Sequence, residues 1–187
     1  MALLAYVFWH WRRPTVTASA YEAVQRRFHD ALAAAPPEGF DRSFSLALSG
    51  APWAAGGGEA YEDWYVVNGS AGLDPLNDAA ITASRQAPHD AAAALAGGGT
   101  AGLYSLRLGR PGAPPLTAAW FGKPEEMTYP ELFGALEPLV SAESAVLWGR
   151  QMTLGPALEF CLHTAAPARL PHQLVPSAFR CRTVWPG

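Results

Sequence analysis

The feature that most constrains this chain is an order of predicted elements that occurs twice. Residues 3–108 predict strand, helix, strand, strand, helix, strand, and residues 115–186 predict strand, helix, strand, strand, linker, strand. A sheet with an apolar face must bury it, so two such units can place antiparallel sheets face to face around a shared interior. We therefore expect an α+β protein with units at residues 1–110 and 111–187, joined near the proline- and glycine-rich residues 110–115.

The predicted strands and helices rest on periodicity and on capping signals. In residues 5–11 the side chains alternate between two largely apolar faces, which indicates a central strand: Tyr6, Phe8 and His10 against Val7, Trp9 and Trp11. Ser19 with Glu22, and Thr128 with Glu131, have the spacing of a capping box at a helix start. Residues 165–176 contain three prolines, so we expect the last helix of the second unit to be shortened or lost.

Composition excludes several classes of partner. Half of the 187 residues are apolar, which is enough for a substantial core. The formal net charge is −3 and the only lysine is Lys123, so we expect no nucleic-acid partner. No apolar run approaches the ~20 residues of a membrane helix, and the apolar residues 2–9 lack the preceding basic residues of a signal peptide. We expect a cytoplasmic protein without a membrane span.

The histidines and cysteines form no recognisable ligand pattern. No two of the five histidines are separated by three or four residues, so we expect no metal site. Cys161 and Cys181 lie in the third and fourth predicted strands of the second unit. In the expected strand order the first strand separates these two, which is too far for a disulfide. We expect two free thiols.

Two glycine-containing segments resemble functional motifs. Gly97, Gly99 and Gly102 match the spacing of a dinucleotide fingerprint, but they lead into a predicted strand, whereas phosphate binding needs a following helix. We interpret them as a linker that stops a helix. Residues 68–72 come close to a nucleophile elbow, and we interpret them as an ordinary turn with Ser70 as a cap.

Ionisable side chains inside predicted strands are the candidate catalytic residues: His10, His163, Arg107, Arg150 and Glu159. A buried charge must be paired or must face a wet cavity. For each histidine, a hydrogen-bonded structural role and a functional role in the space between the sheets both remain open. For the other three, an exposed sheet edge is the alternative. In the functional case a histidine does acid–base work beside one of the charged residues, with Tyr65 as a hydrogen-bond donor.

The chain is rich in tryptophan, and most of its indoles fall on predicted strands in both halves. The seven are Trp9, Trp11, Trp53, Trp64, Trp120, Trp148 and Trp185. Aromatic residues are good core residues, so these rings either fill the interior or line a ligand pocket. In the second case we expect Trp9, Tyr65, Trp120 and Trp148 to contact the ligand.

The duplicated order with capped helices and two-faced strands resembles the dimeric α/β-barrel superfamily, here as two ferredoxin-like units fused in one chain. That superfamily includes cofactor-free monooxygenases of quinone-like substrates, muconolactone-type isomerases and a haem-binding chlorite dismutase branch. The resemblance implies a cavity between the sheets for a hydrophobic, often aromatic, small molecule. It carries over no catalytic residue, because no family motif aligns. The RNA-recognition domain shares the element order, but its glycine-aromatic strand motif is missing.

Two functional hypotheses follow. In the first, the protein is an enzyme or binding protein for a small hydrophobic or aromatic molecule, oxygenase-like or isomerase-like and without a cofactor. In the second, it is a non-catalytic structural or interaction protein with a filled interior. A cavity of several hundred Å³ with convergent polar groups favours the first. A haem site ranks third, because the second half offers no histidine on a well-defined helix stripe. Whether the protein forms a homodimer stays open.

Overall fold

The computed structural model describes residues 3–53, 58–143 and 145–187. In chain order its elements are β1 (Leu3–Arg12), α1 (Ala18–Ala34), β2 (Phe40–Ser49), β3 (Glu59–Asn68), α2 (Leu73–Ala80), α3 (Gln86–Leu95), β4 (Ala96–Leu108), β5 (Thr117–Phe121), α4 (Tyr129–Glu143), β6 (Val146–Arg150), β7 (Phe160–Thr164), β8 (Ser177–Arg180) and β9 (Arg182–Trp185). The predicted glycine-rich connection at residues 50–58, and the first residue of the apolar N-terminal run, fall partly outside the described residues. No helix in the described ranges is long and apolar enough to cross a membrane.

The strands form one antiparallel sheet in the order β8-β5-β7-β6-β4-β1-β3-β2-β9. Within the first half the order is β4-β1-β3-β2, and within the second half the equivalent strands follow the same order, β8-β5-β7-β6. The halves join where β4 pairs with β6, with Tyr104 opposite Arg150. The two expected sheets are therefore joined edge to edge into one, because each half offers an open edge strand to the other.

The C-terminal segment nearly closes this sheet into a barrel. β8 pairs with β5, and β9 pairs with β2 from Ser45 opposite Trp185 to Ala47 opposite Arg182. Between β8 and β9, the Cys181 amide donates to the Leu116 carbonyl at 2.9 Å. The C-terminal segment therefore contributes one strand to each edge of the sheet, β8 to one and β9 to the other. The side chains on the concave face of the sheet enclose an interior that we call the lumen.

Strand alternation decides which side chains enter the lumen and which face the helices. On β1, Val7 and Trp9 belong to the lumen core, whereas Phe8 packs with Phe28 and Leu32 of α1 on the other face, which we call the outer face. In the second half, α4 covers the outer face through a cluster that includes Leu132, Leu136, Phe121, Leu147 and Leu162. Residues 165–176 run between β7 and β8 without a helix.

The predicted N-terminal cap is confirmed for α4 and is wrong for α1. At α4, the Thr128 amide donates to Glu131 Oε2 at 2.8 Å and the Glu131 amide donates to Thr128 Oγ1 at 3.4 Å, which confirms the capping box. At α1 the cap is Thr17, whose Oγ1 accepts from the Ala20 amide at 3.3 Å. The prediction of Ser19 as the cap was wrong, because the cap lies two residues earlier and the helix begins at Ala18.

The glycines at residues 97–102 belong to a strand, which corrects their interpretation as a linker. They lie in β4, directly beside the aromatic side chains of β1. A Cβ at Gly98 would lie 2.6 Å from Trp11 Cζ2, and one at Gly102 would lie 3.0 Å from Trp9 Cη2. Glycine is used here because it leaves room for these indoles. Residues 68–72 form a turn as expected, although Ser70 makes no capping hydrogen bond.

Candidate functional site

Four indoles occupy the lumen, each from a different strand. Trp9, Trp64, Trp120 and Trp148 come from β1, β3, β5 and β6 and are at most 1% exposed. Trp9 and Trp120 have ring centroids 5.6 Å apart, and Trp64 and Trp148 are 5.5 Å apart. Tyr104 of β4 packs edge-on against Trp120 at 5.3 Å. Inward-facing positions on strands around the barrel thus bring together aromatic residues that are far apart in the sequence.

Glu62 of β3 lies among these indoles and is fully buried. Its Oε1 accepts a hydrogen bond from Trp9 Nε1 at 2.9 Å, and its Oε2 accepts one from Trp64 Nε1 at 3.2 Å. The ion pairs found among the described residues do not include Glu62. Burial raises the pKa of this carboxyl to about 7, against the opposing effect of the indole donors. Glu62 therefore exchanges a proton near neutral pH.

His163 of β7 also faces the lumen. Its ring lies 4.4 Å from that of Trp64, and its Nε2 has no hydrogen-bond partner among the described residues. Burial lowers the pKa of His163 to about 3, so the imidazole is neutral at physiological pH. Cys161 and Cys181 are buried and free, as predicted, and burial raises the pKa of both thiols, to about 12 for Cys181.

A second polar cluster lies on the outer face, beneath α1. Asp63 follows Glu62 on β3 and so faces the opposite way; its Oδ2 is 3.1 Å from His10 Nε2 and 3.4 Å from His29 Nε2. The outer nitrogens of the two rings contact hydroxyls, His10 Nδ1 with Tyr21 at 2.7 Å and His29 Nδ1 with Ser43 at 2.8 Å. Burial alone would raise the pKa of Asp63, but the two imidazoles lower it below its ordinary value.

The outer cluster is compact and contains no metal geometry. Tyr65 donates to Asp63 Oδ2 at 3.1 Å and stacks on His29 with ring centroids 5.4 Å apart. His10, His29 and Asp63 are at most 1% exposed. Among the described residues, no group of three histidine, cysteine, aspartate or glutamate side chains is arranged to hold a metal ion. The cluster is a buried polar network that connects α1 to the sheet.

The structure separates the polar residues that the sequence grouped together. His163 faces the lumen, and Arg150, two residues after Trp148 on β6, lies at the end of the barrel and donates to the carbonyls of Leu154 and Ala157 at 2.9 and 3.0 Å. The other four lie elsewhere, so the polar residues predicted from the sequence do not line one shared cavity. His10 and Tyr65 belong to the outer cluster. Arg107 is exposed, and Glu159 accepts a hydrogen bond from the Tyr129 hydroxyl at 2.7 Å. The position of His10 on the outer face follows from strand alternation, because its neighbour Trp9 faces the lumen.

Sequence reasoning placed Trp9, Trp120 and Trp148 correctly in one interior but missed Glu62 and Asp63. The available signal was two adjacent acidic residues inside a strand that is otherwise apolar, residues 60–67. Adjacent strand residues face opposite ways, so one of the pair had to enter the lumen. His29, which lies on α1 beside the charged residue Asp30, is nevertheless buried, because Asp63 and Ser43 supply its partners.

Two hollows of the described surface lie outside the lumen. One, of about 220 Å³, is bounded by α1 and α3 and includes Val24 and Pro88. The other, of about 320 Å³, lies between β2 and β8 and includes Leu48 and Phe179. Glu62 lines neither of them. The described part of the lumen is filled by side chains, with the indoles in contact with one another.

Comparison with known proteins defines the class of fold. No protein-family model matches the sequence, and no curated protein matches it. Among solved structures, a putative monooxygenase from Fusobacterium nucleatum is similar over 99% of this chain and 94% of its own, with a TM-score of 0.67 at 7% identity. A putative monooxygenase from Lactobacillus acidophilus NCFM covers 100% and 96%, with a TM-score of 0.52 at 9% identity. An anthrone oxidase-like protein covers 98% and 93%, with a TM-score of 0.50 at 10% identity.

These structures share an architecture with the chain and little sequence. At such identities the likeness establishes the fold alone. The chain has the fold of the dimeric α/β-barrel superfamily, as its repeated strand order indicated.

Proposed function

We propose that the protein binds a small, flat aromatic molecule in the lumen and that Glu62 exchanges a proton with it, in a cofactor-free reaction of oxygenase or isomerase type. In this proposal the chain consists of two fused ferredoxin-like units, residues 1–110 and 111–187, which share the lumen. The repeated strand order supports this division. A cytoplasmic location stays a prediction, and whether the protein forms a homodimer stays open.

The observation that carries the proposal is a carboxyl group that is buried among indoles and has no cationic partner among the described residues. Such a group is costly to bury, and an apolar side chain of similar size would pack the same interior more stably. Strongly shifted acids of this kind are concentrated at functional sites. A pKa of about 7 suits a proton acceptor at neutral pH, because the carboxylate is populated and still holds a transferred proton.

The residues around Glu62 suit a planar, weakly acidic substrate. Indole faces offer stacking surfaces, and Glu62 would take a proton from an acidic C–H or O–H group of the ring system. Returning that proton to another carbon completes an isomerisation. In an oxygenase-like reaction the substrate anion reduces dioxygen, so that a ring CH₂ becomes a carbonyl and the second oxygen atom leaves as water. Neutral His163 would donate or accept a hydrogen bond at the developing oxygen.

The filled interior favours the alternative, a non-catalytic protein whose indoles are packed for stability. In the described structure Glu62 is fully buried, and Trp9 and Trp64 each donate to one of its oxygens, so a ligand that reaches the carboxyl must displace surrounding side chains. The two functions therefore differ in a measurable way. Ligand binding at this site requires the tryptophan environment to change, whereas a structural interior resists such a change.

Anthrone, which is flat and carries an acidic CH₂, tests the proposal with the full chain. We expect anthrone to quench tryptophan fluorescence and to be oxidised with uptake of dioxygen. Glu62→Gln should lower the rate by about 10²- to 10⁴-fold, the usual contribution of a general base. Glu137→Gln, at an exposed position of α4, is the matched control and should leave the rate unchanged. Absence of both quenching and turnover would favour the structural alternative.

A further inference from the structure

The barrel has a seam where its two edges approach without pairing. β9 pairs with β2 only from Ser45 to Ala47, and the end of β2, at Leu48 and Ser49, faces β8 across the hollow of about 320 Å³. Its lining includes Leu48, Glu59, Ala178, Phe179, Arg180 and Arg182, so two arginines and one glutamate face it. A hollow of this size matches the lower range of small-molecule pockets. No strand ladder pairs β2 with β8 here, so the sheet is open along this stretch of the described structure.

Aromatic side chains connect this hollow to Glu62. Phe179 lines the hollow and packs edge-on against Trp53 with ring centroids 5.6 Å apart. Trp53 in turn lies 5.4 Å from Trp120 and 6.3 Å from Trp9, whose indole nitrogen donates to Glu62. The Trp53 Nε1 atom is buried and has no partner among the described residues. A flat ring that enters the hollow therefore meets aromatic surface along the whole path to the carboxyl.

The rim of the hollow is positively charged although the chain as a whole carries −3. Arg182 pairs with Glu22 at 2.6 Å and lies 3.7 Å from Glu59, and these two carboxylates also pair with Arg26 and Arg12 respectively. This network contains three arginines and two glutamates, so it has an excess of one positive charge. Arg180 adds a further positive charge, because its guanidinium takes part in none of the ion pairs or hydrogen bonds found among the described residues. Such a rim attracts an anion.

We infer that the seam between β2 and β8 is a binding site for a flat aromatic carboxylate, with the carboxylate on Arg180 and the ring against Phe179 and Trp53, and that it is the entrance to the lumen. The role as entrance rests on the proposed function, whereas the carboxylate site does not. The guanidinium presents paired N–H donors that match a carboxylate. The ring gains the stacking surface of the two aromatic side chains.

Calorimetry with naphthalene-2-carboxylate and its neutral analogue naphthalene-2-carboxamide tests the carboxylate site. With the full chain at low salt, Arg180→Gln should weaken carboxylate binding about tenfold, the value of one charge-assisted contact at an exposed position. Carboxamide binding should stay unchanged. Arg169→Gln removes an equally exposed arginine that does not line the hollow and is the matched control. Equal weakening by both variants, no weakening, or no binding of the carboxylate would overturn the inference.

A second pair of variants separates the seam from the proposed chemistry. Ala178→Trp fills the hollow at an exposed position, and it should abolish binding of both naphthalene compounds and slow the fluorescence quenching by anthrone at least tenfold. Glu62→Gln should leave the effect of Arg180→Gln on carboxylate binding unchanged. If anthrone is oxidised through Glu62 at full speed in Ala178→Trp, the entrance is refuted and the function stands. If the carboxylate binds through Arg180 while anthrone does not react, the seam site stands and the proposed function fails.

Discussion

The raised pKa of Glu62 predicts a specific dependence of stability on pH. In the unfolded chain this carboxyl has its ordinary pKa of 4.5, and in the folded protein burial raises the pKa to about 7. The folded state therefore binds the proton more tightly than the unfolded state. Its contribution to stability is fully present below pH 4.5 and is lost as the pH rises to about 7. At 1.36 kcal/mol per pKa unit the loss is about 3 kcal/mol.

Comparison with Glu62→Gln isolates this contribution. Glutamine does not titrate, so the free energy of unfolding of the wild type minus that of Glu62→Gln should fall by about 3 kcal/mol between pH 4.5 and 8. Urea unfolding at a series of pH values measures it, and in thermal melts the same change amounts to roughly 6–12 °C. Every other titrating group cancels in the difference. Curves for wild type and Glu62→Gln that stay parallel between pH 4.5 and 8 would refute a shifted carboxyl at residue 62.

Three further predictions concern the parts of the structure around the lumen. Asp63→Asn should destabilise the protein by about 3–5 kcal/mol at pH 7, because it removes the carboxylate from a buried polar network. Measured by urea unfolding, this difference should shrink as the pH falls below 3.8, because the pKa of Asp63 is lowered in the folded protein. Asp41→Asn, which removes the partly exposed ion pair with Arg42, should cost less than about 0.5 kcal/mol in the same urea titration. Titration with a thiol reagent, followed by absorbance, should find two reactive thiols, Cys161 and Cys181, in denaturant without reductant. In the native protein at pH 8 both should react far more slowly, because burial raises the pKa of each thiol. Fewer than two reactive thiols in denaturant would contradict the predicted topology. Gly134→Ala in α4, where an added Cβ meets nothing within 4 Å, should raise the free energy of unfolding by about 0.5–1 kcal/mol, and a loss would show that the helix is misplaced there.

Local rules sufficed to predict most of the fold. Alternation on β1 predicted that Trp9 and His10 face opposite ways, and the capping box of Thr128 and Glu131 marked the start of α4. What local rules could not supply was the joining of the halves through β4 and β6 and the closure by β8 and β9. Pairing between edge strands depends on which edges remain free after both halves have folded, and no sequence period encodes that.

The site was harder to predict than the fold because polar residues can be satisfied in different ways. His10 and His163 look alike in sequence, as single histidines in apolar strands. One faces α1, where Asp63 and Tyr21 supply partners, and the other faces the lumen. The choice between these faces depends on strand parity relative to large neighbours. A single charge within a strand does not show which face it takes. The adjacent pair Glu62 and Asp63 does carry a signal, because neighbouring strand residues face opposite ways and one of the two must enter the lumen.

The most direct test of a lumen site is the ¹H–¹⁵N spectrum of the indole groups during titration with anthrone. The N–H groups of Trp9 and Trp64 donate to Glu62, so their signals report both its protonation and the displacement of an indole by a ligand. We predict that these two signals shift together with a pH midpoint near 7 without ligand, and that anthrone moves both of them and abolishes that titration. Signals that stay fixed from pH 5 to 8 and on addition of anthrone would contradict the account.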